Sequence, residues 1–277
     1  MILPMARTLG IVERAAGRGR TRGVALAVDA ARRGPGTPVP RTVVVGLLEA
    51  PRSDSVDTCP IDGAAMDAGM MLARSFRCGC EGHHFPRADD GSNVAEERLL
   101  GMVEALEDPL LVLGCRSRPV AGGAILPGRT TRGVVSSLVG PLWIQRGTWR
   151  PPDRIVAALS EFHRDRRVFD LALDLALTLG ARLDVVHCRE TAGVRPDSIT
   201  RADLDLLCDV ARERYEQESR PASDVGLLEL AGPARVALAP HLEAADVSVL
   251  GRGCRLGVGH VLHDQLLFRA GPLVIVP

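Results

Sequence analysis

The segment 246–277 constrains the fold most, because it holds in order a strand, a glycine-rich loop, a helix and a second strand. Residues 247–250 form a short apolar run typical of a buried strand, and glycines crowd the turn that follows. Apolar residues at helical spacing then lead to Gly271 and Pro272, which end the predicted helix before a last apolar strand at 273–276. The segment predicts an α/β fold, in which a glycine-rich turn at a helix N-terminus is typical of an anion site.

The same order of elements occurs twice along the chain. The interval from the first predicted strand to the glycine that ends its helix is 25 residues in both halves, at 9–34 and at 155–180. VEALEDPLLVLGCRSR in the first half parallels LEAADVSVLGRGCR in the second, and GPLWIQ parallels GPLVIV. Alternating strands and helices predict parallel sheets with right-handed crossovers. The linker RGTWRPPD separates two predicted domains, 1–147 and 153–277.

The predicted elements follow from apolar periodicity and from glycine and proline breaks. In the first half we predict strands at 7–14, 42–50, 76–80, 110–113 and 142–145, and helices at 23–34, 63–75 and 94–108, with a loop at 81–93. In the second half we predict strands at 154–160, 182–188, 225–230, 247–250 and 273–276, and helices at 161–181, 197–218, 233–243 and 261–267.

Composition excludes several classes of protein. Thirty-four basic and 34 acidic residues leave no net charge, which argues against nucleic-acid binding driven by bulk charge. Seven scattered cysteines do not form a disulfide framework and favour a reducing cytoplasm. No apolar run approaches the roughly 20 residues that span a bilayer. We therefore expect a soluble cytoplasmic protein that contacts neither nucleic acid nor membrane.

The repeated segments carry a family resemblance, which is best in IVAALSEFHRDRRVFDLALDLALTLGARLDVVHC and in AADVSVLGRGCRLG with GPLVIVP. These resemble the universal stress protein family, and the whole chain resembles a tandem member. The resemblance implies two doubly wound, Rossmann-like domains, each with a five-stranded parallel sheet of order 3-2-1-4-5. It also implies an intramolecular pseudo-dimer with strands 142–145 and 273–276 near the interface, and it leaves a further homodimer open.

Many members of that family bind ATP at the carboxyl ends of strands one and four, which is the usual ligand position of such sheets. They carry an aspartate after strand one and a loop in which Gly-x₂-Gly-x₉-Gly precedes Ser or Thr. In the second half Ser160 stands at the aspartate position and Gly251 is kept. The later motif positions fall on Cys254, Asp264 and Gln265, where a carboxylate would repel phosphate.

The first half departs from the motif in a different way. Arg14 ends the predicted strand one, Gly114 is kept, and the loop runs one residue too long to GRTTRG at 128–133. A register that makes Asp29 the motif acid leaves no room for a helix before Thr42, so we reject it. The candidate ligands of a phosphate or nucleotide are Gly114, Ser117, Gly128, Arg129, Thr130, Ser160, Gly251, Gly253 and Gly257.

Degraded motifs in both halves predict a non-catalytic stress-response module for binding or signalling, with no required cofactor and an unidentified protein partner. Two alternatives stay open. One is an ATP-binding universal stress protein with slow hydrolysis, and the other is a scaffold or regulatory partner of a transporter or kinase. No nucleophile with an evident base occurs in a known motif, so we expect no enzyme.

Histidines and cysteines supply the remaining candidate chemistry. CGCEGHH brings together Cys78, Cys80, His83 and His84, with Cys59 upstream, and these are zinc-ligand types. The Cys-x-Cys spacing is tight and no second cysteine pair follows, which favours incidental thiols and leaves metal binding open. We expect His187 to line the cleft or to pack, and His260 and His263 to bracket the glycine loop.

Overall fold

The computed structural model describes residues 11–16, 19–24, 40–48, 60–85, 94–114, 117–119, 125–127, 129–137, 140–160, 162–189, 199–232, 234–251 and 271–277. The strands are β1 Ile11–Ala16, β2 Gly19–Val24, β3 Thr42–Leu48, β4 Gly79–Phe85, β5 Pro109–Gly114, β6 Ser117–Pro119, β7 Ile125–Pro127, β8 Leu142–Gln145, β9 Arg154–Leu159, β10 Arg182–Arg189, β11 Val225–Ala231, β12 Val247–Gly251 and β13 Leu273–Val276. The helices are α1 Pro60–Phe76, α2 Val94–Glu104, α3 Arg129–Ser137, α4 Phe162–Leu179, α5 Arg201–Gln217, α6 Ala234–Ala237 and α7 Ala239–Glu243.

Nine of these strands form one sheet in the order β11-β10-β9-β12-β13-β8-β5-β3-β4. Within each half all neighbouring strands are parallel. The second-half strands therefore lie in the order 3-2-1-4-5. The α/β fold with a mainly parallel sheet is confirmed, and no described helix is long and apolar enough to cross a membrane.

The two halves meet at the antiparallel pair β8 and β13, which joins their strands into one sheet. Val274 lies opposite Trp143, Leu273 lies opposite Ile144, and Ile275 lies opposite Leu142. Because GPLWIQ and GPLVIV correspond, this pairing is symmetric about the Trp143–Val274 pair. The strand pairing has the self-complementary register of an isologous contact. The predicted boundaries at 147 and 153 stay a prediction.

Apolar side chains cover both faces of the sheet. Helices α1, α4 and α5 cover one face through residues such as Leu72, Phe169 and Tyr215. Helices α2, α3 and α7 cover the other face, for example through Leu99 and Leu242. Strands buried on both faces explain the nearly continuous apolar runs of β5, β12 and β13.

Local signals set the ends of two second-half helices. Thr200 caps α5, since its hydroxyl accepts the backbone N–H of Asp203 and its own N–H donates to the Asp203 carboxylate. Gly180 follows α4 with a φ of +74°, a left-handed conformation that favours glycine. The predicted helix 233–243 is instead two short helices, α6 and α7, and Pro240 lies in the first turn of α7.

The predicted assignment of the first half is wrong at strand one. Residues 11–16 pair with β2 in a separate antiparallel hairpin, and β3 takes the place of strand one between β4 and β5. A continuous β-branched run such as TVVVG suits a strand buried on both faces, whereas IVERAA places charges in mid-strand. The equal 25-residue intervals therefore do not mark equivalent elements. Most of the predicted helix 23–34 lies outside the described residues, but Gly23 and Val24 belong to β2.

Two further first-half predictions change with this register. The strand predicted at 76–80 is β4, Gly79–Phe85, so the first part of the predicted loop 81–93 is extended sheet. The described residues of the first half contribute four strands to the main sheet, and a fifth is not found among them.

Candidate functional site

The second-half cleft is the place where strands one and four part. β9 and β12 are parallel neighbours, and they end at Leu159 and Gly251. Ser160 follows β9 directly, so Ser160 and Gly251 lie side by side at the carboxyl edge of the sheet. This is the topological switch point, where open α/β sheets bind ligands. Residues 252–270 lie outside the described part of the chain, including Gly253, Gly257, His260 and His263.

A carboxylate that the sequence did not single out occupies this switch point. Asp165, in the first turn of α4, is only 2% exposed. The Ser160 backbone N–H donates to Asp165 Oδ2 at 2.5 Å, and the Ser160 hydroxyl donates to the same oxygen at 2.8 Å. A negative charge in the first turn of a helix is also stabilised by the helix dipole. The sequence pattern that could have indicated this contact is Ser160 directly after strand one, followed by Asp165 in the first turn of the next helix.

Gly251, at the end of β12, lies against the same carboxylate. A Cβ placed on Gly251 would lie 2.8 Å from Asp165 Oδ1 and 3.4 Å from a Val168 methyl group. Real side chains do not tolerate the first of these distances. A side chain at position 251 would therefore displace the Asp165 carboxylate from the end of β12.

His187 packs beside the same edge. It ends the buried part of β10, is 7% exposed, and its Nδ1 lies 2.9 Å from the Leu159 carbonyl oxygen. An Nδ1–H that donates to this carbonyl fixes the ring against β9. Of the two predicted roles of His187, lining the cleft or packing, the structure confirms packing.

The first-half cleft is built on different residues. Register places Leu48 of β3, and not Arg14, at the position of Ser160, because Thr42 pairs with Gly79 as Arg154 pairs with Arg182. The residue at the motif position is therefore the apolar Leu48, and the prediction of the charged Arg14 there is wrong. Gly114 ends β5 as Gly251 ends β12.

The predicted GRTTRG loop is largely helical. Arg129 and Thr130 form the start of α3, and Gly128 lies outside the described residues. Ser117 begins β6, where it pairs with Pro127. The Glu96 carboxylate rests against Gly133, where it would overlap any Cβ. The start of α3 thus offers helix-dipole positive charge, but an acidic side chain lies against its next turn.

The Cys and His residues of the first half lie along β4, not in a loop. Burial, reinforced by Cys78 and Glu81, raises the pKa of the Cys80 thiol to about 12. A thiol that stays protonated is a poor metal ligand. His83 Nε2 lies 3.1 Å from a Glu81 carboxylate oxygen. Among the described residues no group of three His, Cys, Asp or Glu side chains is arranged to hold a metal ion, while Cys59 and the His84 side chain are not described.

A cavity of about 400 Å³ lies between the halves beside the end of β13. Its walls are mainly apolar, with charges from Glu104, Asp108 and Arg167. Its lining consists of Pro40, Val103, Glu104, Leu106, Asp108, Pro109, Gly140, Pro141, Arg167, Leu171, Val276 and Pro277. Beyond the end of β8, in contrast, the linker folds back and Trp149 packs against Trp143 at 5.7 Å between ring centroids.

The second-half sheet has the strand order of the universal stress protein fold, with a cleft between strands one and four. No known protein-family profile matches the sequence, and no curated protein matches it. Among solved structures, the chain is similar to a universal stress protein from Archaeoglobus fulgidus DSM 4304 at 16% identity and a TM-score of 0.52, covering 86% of this chain and 89% of that one.

Two Pseudomonas aeruginosa structures are similar over the same share of the chain. A putative universal stress protein from strain UCBPP-PA14 matches at 14% identity and a TM-score of 0.51, covering 86% of this chain and 94% of that one. A protein of unknown function from strain PAO1 matches at 13% identity and a TM-score of 0.50, covering 86% and 93%. At these identities the likeness establishes the fold.

Proposed function

We propose that the chain is a tandem universal stress protein that acts as a non-catalytic binding or signalling module in the stress response. The observation that carries the proposal is the pair of residues at the end of strand one. Leu48 and Ser160 stand where ATP-binding members of the family carry an aspartate. Neither half therefore has an aspartate at that position, while the fold that surrounds it is retained.

A cytoplasmic location is part of this proposal. Cys80 and Cys208 are buried free thiols. Free buried thiols are common in reducing compartments.

Calorimetry with ATP and the full chain tests the proposal. We expect no micromolar binding and no release of phosphate during prolonged incubation. Micromolar binding accompanied by slow phosphate release would contradict it and favour the hydrolytic alternative. Copurification of one transporter or kinase with the tagged chain, in the absence of nucleotide, would favour the scaffold alternative.

The second candidate is ATP binding by the first half alone. It is favoured by α3, which follows β5 along the chain and begins at Arg129 and Thr130, because a helix N-terminus attracts anions. If this candidate holds, Arg129→Ala weakens ATP binding at least tenfold. The control Arg74→Ala, in the last turn of α1, leaves binding unchanged.

A further inference from the structure

The cavity between the halves lies at one end of their junction, and its lining residues all belong to the described part of the chain. The first half contributes the end of α2 and the starts of β5 and β8, and the second half contributes α4 and the end of β13. Val103, Leu171 and Val276 are buried and form part of its apolar wall. Its volume of about 400 Å³ lies within the range of small-molecule sites, which have mostly apolar walls and a few polar groups.

The opposite end of the junction is closed by the chain itself. The linker after β8 folds back there, and the ring of Trp149 packs against that of Trp143 at 5.7 Å between centroids. The Asp246 carboxylate accepts the backbone N–H groups of Asp153 and Arg154, each at 2.9 Å, which fixes the end of the linker. Because the β8–β13 pairing is symmetric, the end of β13 is the counterpart of the end of β8. A linker with an indole side chain thus packs at one end, whereas a cavity larger than the usual voids of a protein interior remains at the other.

Charged side chains from both halves border this cavity. Arg167 of α4 and Glu104 of α2 line it, and both are exposed to solvent. Within the described part of the chain, neither of them forms an ion pair or a side-chain hydrogen bond. The other acid of the lining, Asp108, lies 3.8 Å from the Arg41 guanidinium. One positive group from the second half and one negative group from the first are therefore available to a ligand.

We propose that this cavity binds a small zwitterion with an apolar body, of the size of an apolar amino acid or a dipeptide. The apolar body lies against Val103, Leu171 and Val276, the carboxylate of the ligand meets Arg167, and its ammonium group meets Glu104. A ligand with a single charge leaves one of the two protein charges without a partner, so the pair favours a zwitterion. The site is separate from the clefts after strands one and four, so the inference goes beyond the proposed function and does not depend on it.

Ligand-observed NMR titrations of the full chain test the site with two zwitterions, tryptophan and the dipeptide of two leucines. We expect at least one of them to bind with a Kd of about 1 mM or below, as is usual for ligands of this size in a suitable cavity. The single-charge analogues are tryptamine and indole-3-propionate for tryptophan, and the amidated and acetylated forms for the dipeptide. Each analogue should bind about fivefold more weakly than its zwitterion, which corresponds to the loss of one exposed ion pair.

Variants of the lining locate the ligand. Arg167→Gln and Glu104→Gln each remove one charge, and we expect each to weaken binding of the zwitterion about fivefold. The matched controls Arg166→Gln and Glu107→Gln change neighbouring residues that do not line the cavity, and they should leave affinity unchanged. Leu106→Trp places an indole at a half-buried position of the lining, so we expect it to abolish binding without lowering the melting temperature.

Three outcomes overturn the proposal. They are the absence of binding by both zwitterions, equally tight binding of their single-charge analogues, and binding that Leu106→Trp leaves intact. If Leu106→Trp does not fold, unchanged affinity in both Arg167→Gln and Glu104→Gln overturns it instead. ATP binding by the wild type would contradict the proposed function but not this inference, because neither zwitterion carries a phosphate.

Discussion

Equivalent strands flank the clefts of the two halves, β3 and β5 in the first and β9 and β12 in the second, but the turn after strand one differs. In the second half β9 ends at Leu159 and α4 begins at Phe162, so the first turn of the helix reaches back to the strand end. In the first half β3 ends at Leu48 and α1 begins only at Pro60. The comparison shows that a short turn lets a helix place its own carboxylate at the switch point.

The halves also differ where they meet. Trp143 donates its indole N–H to Gln145 at 2.9 Å, and the Gln145 amide donates to the carbonyls of Arg146 and Gly147. The corresponding residues of the second half are Val274 and Val276, which make no such network among the described residues. The first half thus holds the linker in place, whereas the end of the second half borders a cavity.

The largest effect is expected at this junction. Trp143→Ala removes a fully buried ring and leaves Gln145 without its donor, so we expect a loss of about 3–5 kcal/mol in the free energy of unfolding. The matched variant Val274→Ala should lose only about 2 kcal/mol, since two methyl groups are deleted. Urea unfolding followed by circular dichroism measures both. Equal losses would mean that the junction is energetically symmetric.

A smaller effect is expected at the second-half cleft. Ser160→Asp places a carboxylate against Asp165 and should cost about 2–3 kcal/mol at neutral pH, while the neutral control Ser160→Asn should cost about 1 kcal/mol. The repulsion raises the pKa of one carboxyl of the pair in the folded variant. Stability associated with a raised pKa is present at low pH and lost as pH rises through the folded value.

The pH series supplies the check on that variant. The difference in the free energy of unfolding between wild type and Ser160→Asp should be small at about pH 4 and large at about pH 7. A gap that does not change with pH would place the new carboxylate away from Asp165.

The smallest effect is expected for one buried cysteine in each half, and it changes stability only at alkaline pH. Burial raises the pKa of Cys80 to about 12 and that of Cys208 to about 11. Both values exceed the ordinary value of 9.0, so each thiol contributes stability that is full below pH 9 and lost as pH rises toward the folded value. We expect Cys80→Ala to flatten the alkaline loss of stability more than Cys208→Ala, as measured by urea midpoints across that range. A larger flattening in Cys208→Ala would contradict the order of the two pKa values.

Much of the second half could be predicted from its sequence, because each element carries its own boundary signal. Thr200 with Asp203 begins α5, Gly180 ends α4, and continuous apolar runs mark the central strands. The first half was harder to predict. Its hairpin strand β1 and its central strand β3 both have strand character in isolation, and only the charges of IVERAA distinguish them. The predicted ligands Gly253, Gly257 and Gly128 lie outside the described residues and stay predictions.

The sequence by itself determined the α/β class and most strands of the second half, because apolar runs are local, whereas the expectation that strands 142–145 and 273–276 meet came from the family resemblance. The tertiary structure alone decided which strand is strand one in the first half and what lies in the second-half cleft. Both depend on pairing between distant segments: β3 is central because β4 and β5 flank it, and Asp165 matters because Ser160 and Gly251 meet it there. Local sequence does not show which distant residues become neighbours, because burial and contacts between charged groups arise only when the chain folds.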